Sequence, residues 1–310
     1  MPGRALSKCC GRSPDGRPET NDFRVPLRRT GMTPINLDDL AELPTLQPSV
    51  MKILRDIDKG EIDAAGLAES VQSDIGLTAR ILRVANSSFY GLSSQVGSIK
   101  EACVLLGMHT VRNLIVSSAV VDRFTSPGDT GFDCMSLWRH GLGTAAVGVV
   151  LAKRTGMNEG CAFTGGLLHD LGRVVLAIHF PKRFAAVLRY RDEHGCLMYE
   201  AEQAVLGTDH CAAGERLAKK WNFPDAVCKA IGGHHRPGAE PKDGLVRLVH
   251  VADIVCRGLG LGDEGSQPIP PVDAGAVERL GLDWNRLGGL LGEMEATYRS
   301  LSPLLESADS

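Results

Sequence analysis

Five of the nine histidines of this 310-residue chain, with two of its aspartates, form a series between residues 140 and 253 in the order His140, His169, Asp170, His210, His234, His235, Asp253. Imidazole nitrogen with carboxylate oxygen suits zinc, iron, manganese or nickel, and two cations sharing Asp170 can activate water for attack at phosphorus. His169 and Asp170 stand side by side in "GGLLHDLGR", where an apolar run meets Gly172, so both can reach one cation. Taken alone, such a dipeptide is more simply a polar helix end. The rest of the series shifts that balance. Asp253 is its most telling member, because an ionised side chain amid "LVHVADIVC" costs several kcal/mol to bury without a cation or hydrogen-bonding partner. His250, three residues earlier on the same helical face, either orients that carboxylate or is a plain core-edge histidine. The competing account of the whole set is a polar cluster that hydrogen-bonds internally and orders a helical core. His109, His179 and His194 have no place in the series and are expected at the surface or at helix ends.

Helices must position these groups. From Leu37 onward the chain consists of short amphipathic segments separated by Pro, Gly and Asn. Pro48 opens "PSVMKILRDI", where Val50, Ile53, Leu54 and Ile57 recur at helical spacing. A second helix is expected in "DAAGLAESVQS". A third, "DIGLTARILRVAN", has Asp74 as N-cap and Ile75, Ala79 and Leu82 on one face. Ser98 and Glu101 stand at capping-box spacing before "IKEACVLLG", and "HTVRNLIVSSAVVDRF" follows as a buried helix. Asn86, Ser87 and Ser88 are expected to satisfy backbone groups at a helix end. After the break "TSPGDTGFD", a long helix starts behind Asp133 and ends near Gly156, with His140 in its second turn. Helices flank the pair at 169 and 170. Thr208 caps the helix carrying His210, Pro224 begins the one ending at His234 and His235, and Asp253 lies mid-helix in "LVRLVHVADIVCRGL". Two more helices close the chain. No period-two run demands a strand, so the fold class is all-α.

The totals agree with such a fold. Hydrophobic content is 43% but aromatic content only 5%, so the core relies on Leu, Val, Ile and Ala, which suits stacked helices. A net charge of −3 gives no strong nucleic-acid signal. Residues 1–33 hold seven Lys/Arg against three Asp/Glu, and are expected to form a disordered basic tail. The nine cysteines show no C-x-x-C spacing, which points to a reducing cytoplasm and to metal ligands other than thiolate. No membrane insertion and no export signal are expected.

The phrases "LPTLQPSVMKIL", "SDIGLTARILRVANSSFYG", "SIKEACVLLGMHTVRNLIV", "LWRHGLGTAAVGVVLAK", "AFTGGLLHDLGRVVLA" and "GTDHCAAGERLAKKWNFPDAVCKAIGGHH" together resemble the HDOD family of bacterial signalling proteins. That family is the HD-related output domain within the HD superfamily of metal-dependent phosphohydrolases. The resemblance implies an N-terminal helical subdomain (34–125) packed on an HD-like core (133–240), together the HDOD domain 34–240. A C-terminal helical extension (241–310) would complete the core. It places His140, His169, Asp170 and Asp253 on the superfamily's basic metal set, and His210, His234 and His235 on the extra ligands of its two-metal members. Asp170 would bridge. No organic cofactor is implied.

Three departures bear on catalysis. "HHRPGAEPKDGLVRL" lacks the Gly-Tyr-Pro of the cyclic-di-GMP phosphodiesterase branch, Arg173 stands where that branch has Lys, and Ser136 stands where an acidic ligand would fit. The function expected is therefore a cytoplasmic regulatory output module that contacts signalling proteins and has a metal site with little or no turnover. Its alternative is a phosphohydrolase acting on a nucleotide or cyclic dinucleotide, with Asp170 and Arg173 as catalytic residues.

Overall fold

The computed structural model describes residues 33–38, 46–72, 74–87, 90, 92, 95–123, 131–238, 243–262, 268–302 and 305. The expected basic tail, apart from Thr33, lies outside the described residues. Among these residues the secondary structure is α-helical, with no strand.

Five helices form the first group: α1 (Pro48–Asp58), α2 (Ala64–Gln72), α3 (Ile75–Ala85), α4 (Ile99–Leu106) and α5 (Met108–Arg123). Local chemistry sets their ends. Pro48 occupies the first turn of α1, Asp74 Oδ1 accepts from Leu77 N–H, and Ser98 accepts from Glu101 N–H. The capping box is not reciprocal, since the Glu101 carboxylate takes the Gly97 N–H at 2.7 Å rather than that of Ser98. Val50, Ile53, Leu54 and Ile57 are buried as their spacing predicts. In α3 the buried residues are Leu77, Ile81, Val84 and Ala85; Ala79 is exposed, Leu82 half-buried, and the side chain of Ile75 lies outside the described ones. That stripe leaves Ala79 out, because the packing of α3 against α4 and α5 selects the more strongly apolar side. At the end of α3, Asn86 bonds the backbone of both Leu82 and Val96, and Ser87 bonds Val84 O.

The second group is built around α6 (Cys134–Thr155), which packs on α7 (Glu159–Leu168), α13 (Gly244–Leu259) and α15 (Trp284–Leu301). Asp133 caps α6 by accepting from Met135 and Ser136 N–H. The α6–α7 crossing is close enough that a Cβ on Gly166 would stand 2.7 Å from Ala145 Cα. Between α7 and α13 come α8 (Leu171–His179), α9 (Pro181–His194), α10 (Met198–Leu206), α11 (His210–Lys220) and α12 (Asp225–Gly233). The short α14 (Ala274–Arg279) lies against α13, and α5 against α7 links the two groups. The stretch Glu159–His179 is apolar enough to cross a bilayer by length and composition, but it is 89% buried in the fold.

Candidate metal centre

His169 and His234 are the C-caps of α7 and α12. Each ring turns its Nδ1 onto a carbonyl of its own last turn, Gly166 O at 2.7 Å and Ile231 O at 2.9 Å. Those carbonyls have no partner inside the helix, so a histidine is a good stop, and the bond fixes the ring with Nε2 facing inward. His210 reaches the same orientation by another route. Its Nδ1 lies 2.6 Å from Glu202 Oε2 on α10, and the same oxygen accepts the His210 backbone N–H at 2.8 Å. Imidazoles held at Nδ1 by an oxygen acceptor, with Nε2 free, are the usual arrangement around a metal.

The Nε2 atoms converge on Asp170, which leads into α8. His210 Nε2 is 3.1 Å and His234 Nε2 3.6 Å from Asp170 Oδ1, while His169 Nε2 is 3.3 Å from Oδ2. His210 Nε2 also lies 3.2 Å from His235 Nε2 and 3.4 Å from His234 Nε2. Three imidazole nitrogens this close repel unless a proton or a cation stands among them. Both oxygens of Asp170 and the Nε2 of His169 are buried with no hydrogen bond of acceptable geometry. Buried polar atoms in that condition fit a cation: Asp170 Oδ1 faces His210, His234 and His235, a side that suits a divalent metal, while Oδ2 and His169 Nε2 belong with His140 to a second such group.

The other side of Asp170 differs. His140 on α6 and Asp253 on α13 meet there, His140 Nε2 lying 2.8 Å from Asp253 Oδ1. Arg257 joins them, its Nε donating to Asp253 Oδ1 at 2.8 Å. Burial, then the Arg257 charge, lower His140 to about 4 against the pull of Asp253. Burial pushes the Asp253 carboxyl up, but Arg257 and His140 hold it well below the usual carboxylate range. Asp170 follows the same pattern, burial being outweighed by Arg173, His169 and His210. Arg173, one turn into α8, places Nη1 3.1 Å from Asp170 Oδ2.

All seven residues expected as ligands are thus brought together around Asp170, with Arg173 beside it. His235 alone of the seven is only half-buried, its ring against Tyr199 at a centroid distance of 4.6 Å. Other expectations are corrected. His250 does not hydrogen-bond Asp253: its Nδ1 lies 2.7 Å from His234 O and its Nε2 accepts the Asp273 N–H at 3.0 Å, so it ties α12 to the approach to α14. The cap of α11 is Asp209, which accepts from Ala212 N–H, and not Thr208, since Asp209 is the residue with extended backbone directly before the helix. His179 is half-buried and His194 exposed, both at helix ends as expected; the side chain of His109 lies outside the described residues.

Glu202, Arg257 and Cys211 were not expected. Glu202 is fully buried in α10, a helix that the apolar spacing did not reveal. A carboxylate inside "MYEAEQAVL" was the available signal, of the same kind that marked Asp253. Cys211 Sγ lies 3.8 Å from His234 Nδ1, the side turned away from Asp170. Glu202→Gln should cost about 1–3 kcal/mol in urea unfolding, because a buried charged acceptor becomes a neutral one. It should also weaken metal binding at His210 by about 10- to 100-fold, as loss of an outer carboxylate does elsewhere. Unchanged unfolding and unchanged metal titration would show that Glu202 does not support His210.

A family model for the HDOD domain matches residues 43–237. An HDOD domain protein of unknown function from Geobacter sulfurreducens is 29% identical, with a TM-score of 0.70 over 86% of this chain and 96% of that one. A Shewanella amazonensis SB2B protein, named provisionally as a phosphohydrolase, is 28% identical with a TM-score of 0.70 over 87% of this chain and 97% of its own. A Marinobacter aquaeolei VT8 protein, named provisionally for signal transduction, is 26% identical with a TM-score of 0.66 over 90% of this chain and 63% of its own. Among curated proteins, an uncharacterized protein of Treponema pallidum (strain Nichols) is 25% identical over 253 residues, 80% of this chain, which spans 48% of that relative. With the all-helical architecture and the histidine centre behind it, the match over residues 43–237 makes this chain a member of the HDOD domain family, an HD-like helical module.

Proposed function

We propose that the chain is a regulatory HDOD module that holds one divalent cation on the His210, His234 and His235 side of Asp170. It transmits a signal through contacts with other proteins in the cytoplasm, with little or no turnover of its own. The observation that carries this is closure of the centre. Its mouth, between Arg173, Arg191, Tyr199, His235 and Arg257, opens on a cavity of about 10 Å³. That is room for about one water, whereas small-molecule sites run to about 300–1,000 Å³. The provisional naming of the Marinobacter relative for signal transduction supports the regulatory role.

A second reading, a metal-dependent phosphohydrolase of nucleotides or cyclic dinucleotides, is favoured by one observation. His140, His169, Asp170 and Asp253 all converge, and Arg173 stands 3.1 Å from Asp170. In that reading His140, His169, Asp170 and Asp253 would hold iron, manganese, zinc or nickel, which would supply an activated water, and Arg173 would steady a phosphate oxygen. Metal analysis of the purified chain, paired with a hydrolysis screen over phosphodiesters and nucleotides, separates the two. The expected result is one ion per chain and no hydrolysis above background. Turnover that requires added Mn²⁺ or Fe²⁺ and disappears in Arg173→Gln would establish the enzyme instead.

A further inference from the structure

Arg257 lies one helical turn beyond Asp253 on α13, which brings its guanidinium over the carboxylate of its neighbour. Nε donates to Asp253 Oδ1 at 2.8 Å, Nη2 lies 2.9 Å from His140 Nε2 and 3.6 Å from Asp170 Oδ2, and the side chain is only 5% exposed. Each of these three partners offers the atom that a cation would take. A metal bound by His140 and Asp170 would stand about 2.0–2.2 Å from each donor atom, in the space next to Nη2. His140 Nε2 has one site, which holds either a proton given to Asp253 Oδ1 or a lone pair offered to Arg257, so it ligates a metal only by giving up these contacts.

Charge leads to the same result. Guanidinium stays protonated at every ordinary pH, and Arg173 and Arg257 together match Asp170 and Asp253. The four buried groups are neutral as they stand. An ion on the imidazole side has the buried Glu202 carboxylate behind His210, outside those four groups, whereas one on the Arg257 side has no further buried carboxylate beside it and would leave uncompensated positive charge in a buried place. The two oxygens of Asp170 divide the labour. Both arginines approach Oδ2, whereas His210 and His234 approach Oδ1.

We propose that Arg257 is a resident cation in the seat between His140, Asp170 and Asp253. It restricts metal to the imidazole side of Asp170, and a second ion enters only when Arg257 withdraws. The inference rests on the metal reading above for the first ion and stands apart from it for the second. An HDOD chain with a complete set of HD ligands would then carry half of its centre blocked by its own side chain.

The test is Mn²⁺ content after dialysis, measured on the full chain as wild type, Arg257→Met and Arg257→Lys, with thermal unfolding in EDTA and in Mn²⁺. The expected content is one ion in wild type, two in Arg257→Met, and one in Arg257→Lys, whose ammonium keeps the charge. The second ion should vanish when His140→Gln is added. Arg257→Met should melt several degrees below wild type in EDTA and recover in Mn²⁺, because a bound ligand stabilises the folded state. One ion in both wild type and Arg257→Met overturns this proposal and leaves the metal reading intact. No ion in wild type but a His140-dependent ion in Arg257→Met removes the metal reading and keeps this one. Two ions in wild type, or none in either protein, overturns it. Should Arg257→Met fold only when Mn²⁺ is supplied, the proposal stands; if Mn²⁺ rescues neither folding nor ion content, it falls.

Discussion

Asp170→Asn should lower the free energy of unfolding by about 3–5 kcal/mol, the range for breaking a buried ion pair. The carboxylate is 2% exposed and faces His169, Arg173, His210, His234 and Arg257 at 3.1–3.6 Å. Asparagine keeps the shape and removes the charge, so Arg173 and Arg257 are left with Asp253 as their remaining buried counter-ion in the cluster. The effect should depend on pH in a defined direction. The folded carboxyl is held well below the usual carboxylate range, where burial is outweighed by Arg173, His169 and His210. The stabilisation is therefore complete above the unfolded pKa of about 4 and disappears as pH falls toward the folded value. Urea unfolding of both proteins at neutral and acidic pH measures this. A difference under about 1 kcal/mol at neutral pH, the size typical of exposed pairs, would mean that the cluster is solvated rather than buried.

Gly172→Ala should be at least as disruptive, for a steric reason. A Cβ there would stand 1.8 Å from His210 O, 2.6 Å from His210 C and 2.8 Å from Gly214 N. These are backbone atoms of α11, so no side-chain rotation relieves the clash, and α8 and α11 must separate. Overpacking usually costs about 1–3 kcal/mol, and a backbone collision lies at or beyond the upper end. The same separation draws His210 away from Asp170, now 3.1 Å apart, so metal retained at neutral pH should fall along with stability. Gly288→Ala on α15 is the matching control. Its Cβ would meet nothing within 4 Å, and an exposed helical glycine replaced by alanine should stabilise by about 0.5–1 kcal/mol. Thermal and urea unfolding of the two variants should shift in opposite directions. Equal, small shifts would show that α8 and α11 can part without consequence.

Gly172 also shows which features are local in origin. A glycine after the His169 and Asp170 pair suggests a helix boundary; the break between α7 and α8 falls at the pair itself, and Gly172 lies in the first turn of α8. That this glycine is where α11 touches α8 depends on a residue about forty positions away, and no spacing within the segment carries it. The same division runs through the centre. His169 and His234 could be placed at helix ends because capping is a matter of three or four residues, and their Nδ1 bonds are local. The cap of α11 was misassigned by one residue, because Thr208 and Asp209 are both competent and the backbone alone chooses between them. α9 left little trace, since only Phe184 and Val187 of its fourteen residues are buried, too few for a stripe.

The sequence by itself determined that the chain is helical, that a histidine and aspartate series with metal-ligand chemistry runs from His140 to Asp253, and that it resembles the HDOD family. These follow from 3.6-residue periodicity, from caps such as Pro48, Asp74 and Asp133, and from residue order, all of them properties of neighbouring positions. Only the tertiary structure decided what the series faces. Glu202 reaches His210 because α10 lies against α11, and Arg257 reaches His140 because α13 lies against α6. Whether a buried charge is balanced by a side chain or left for a cation depends on distances of about 3 Å between separate helices, where one ångström decides between an ion pair and a vacancy for metal. No pattern along the chain encodes that distance.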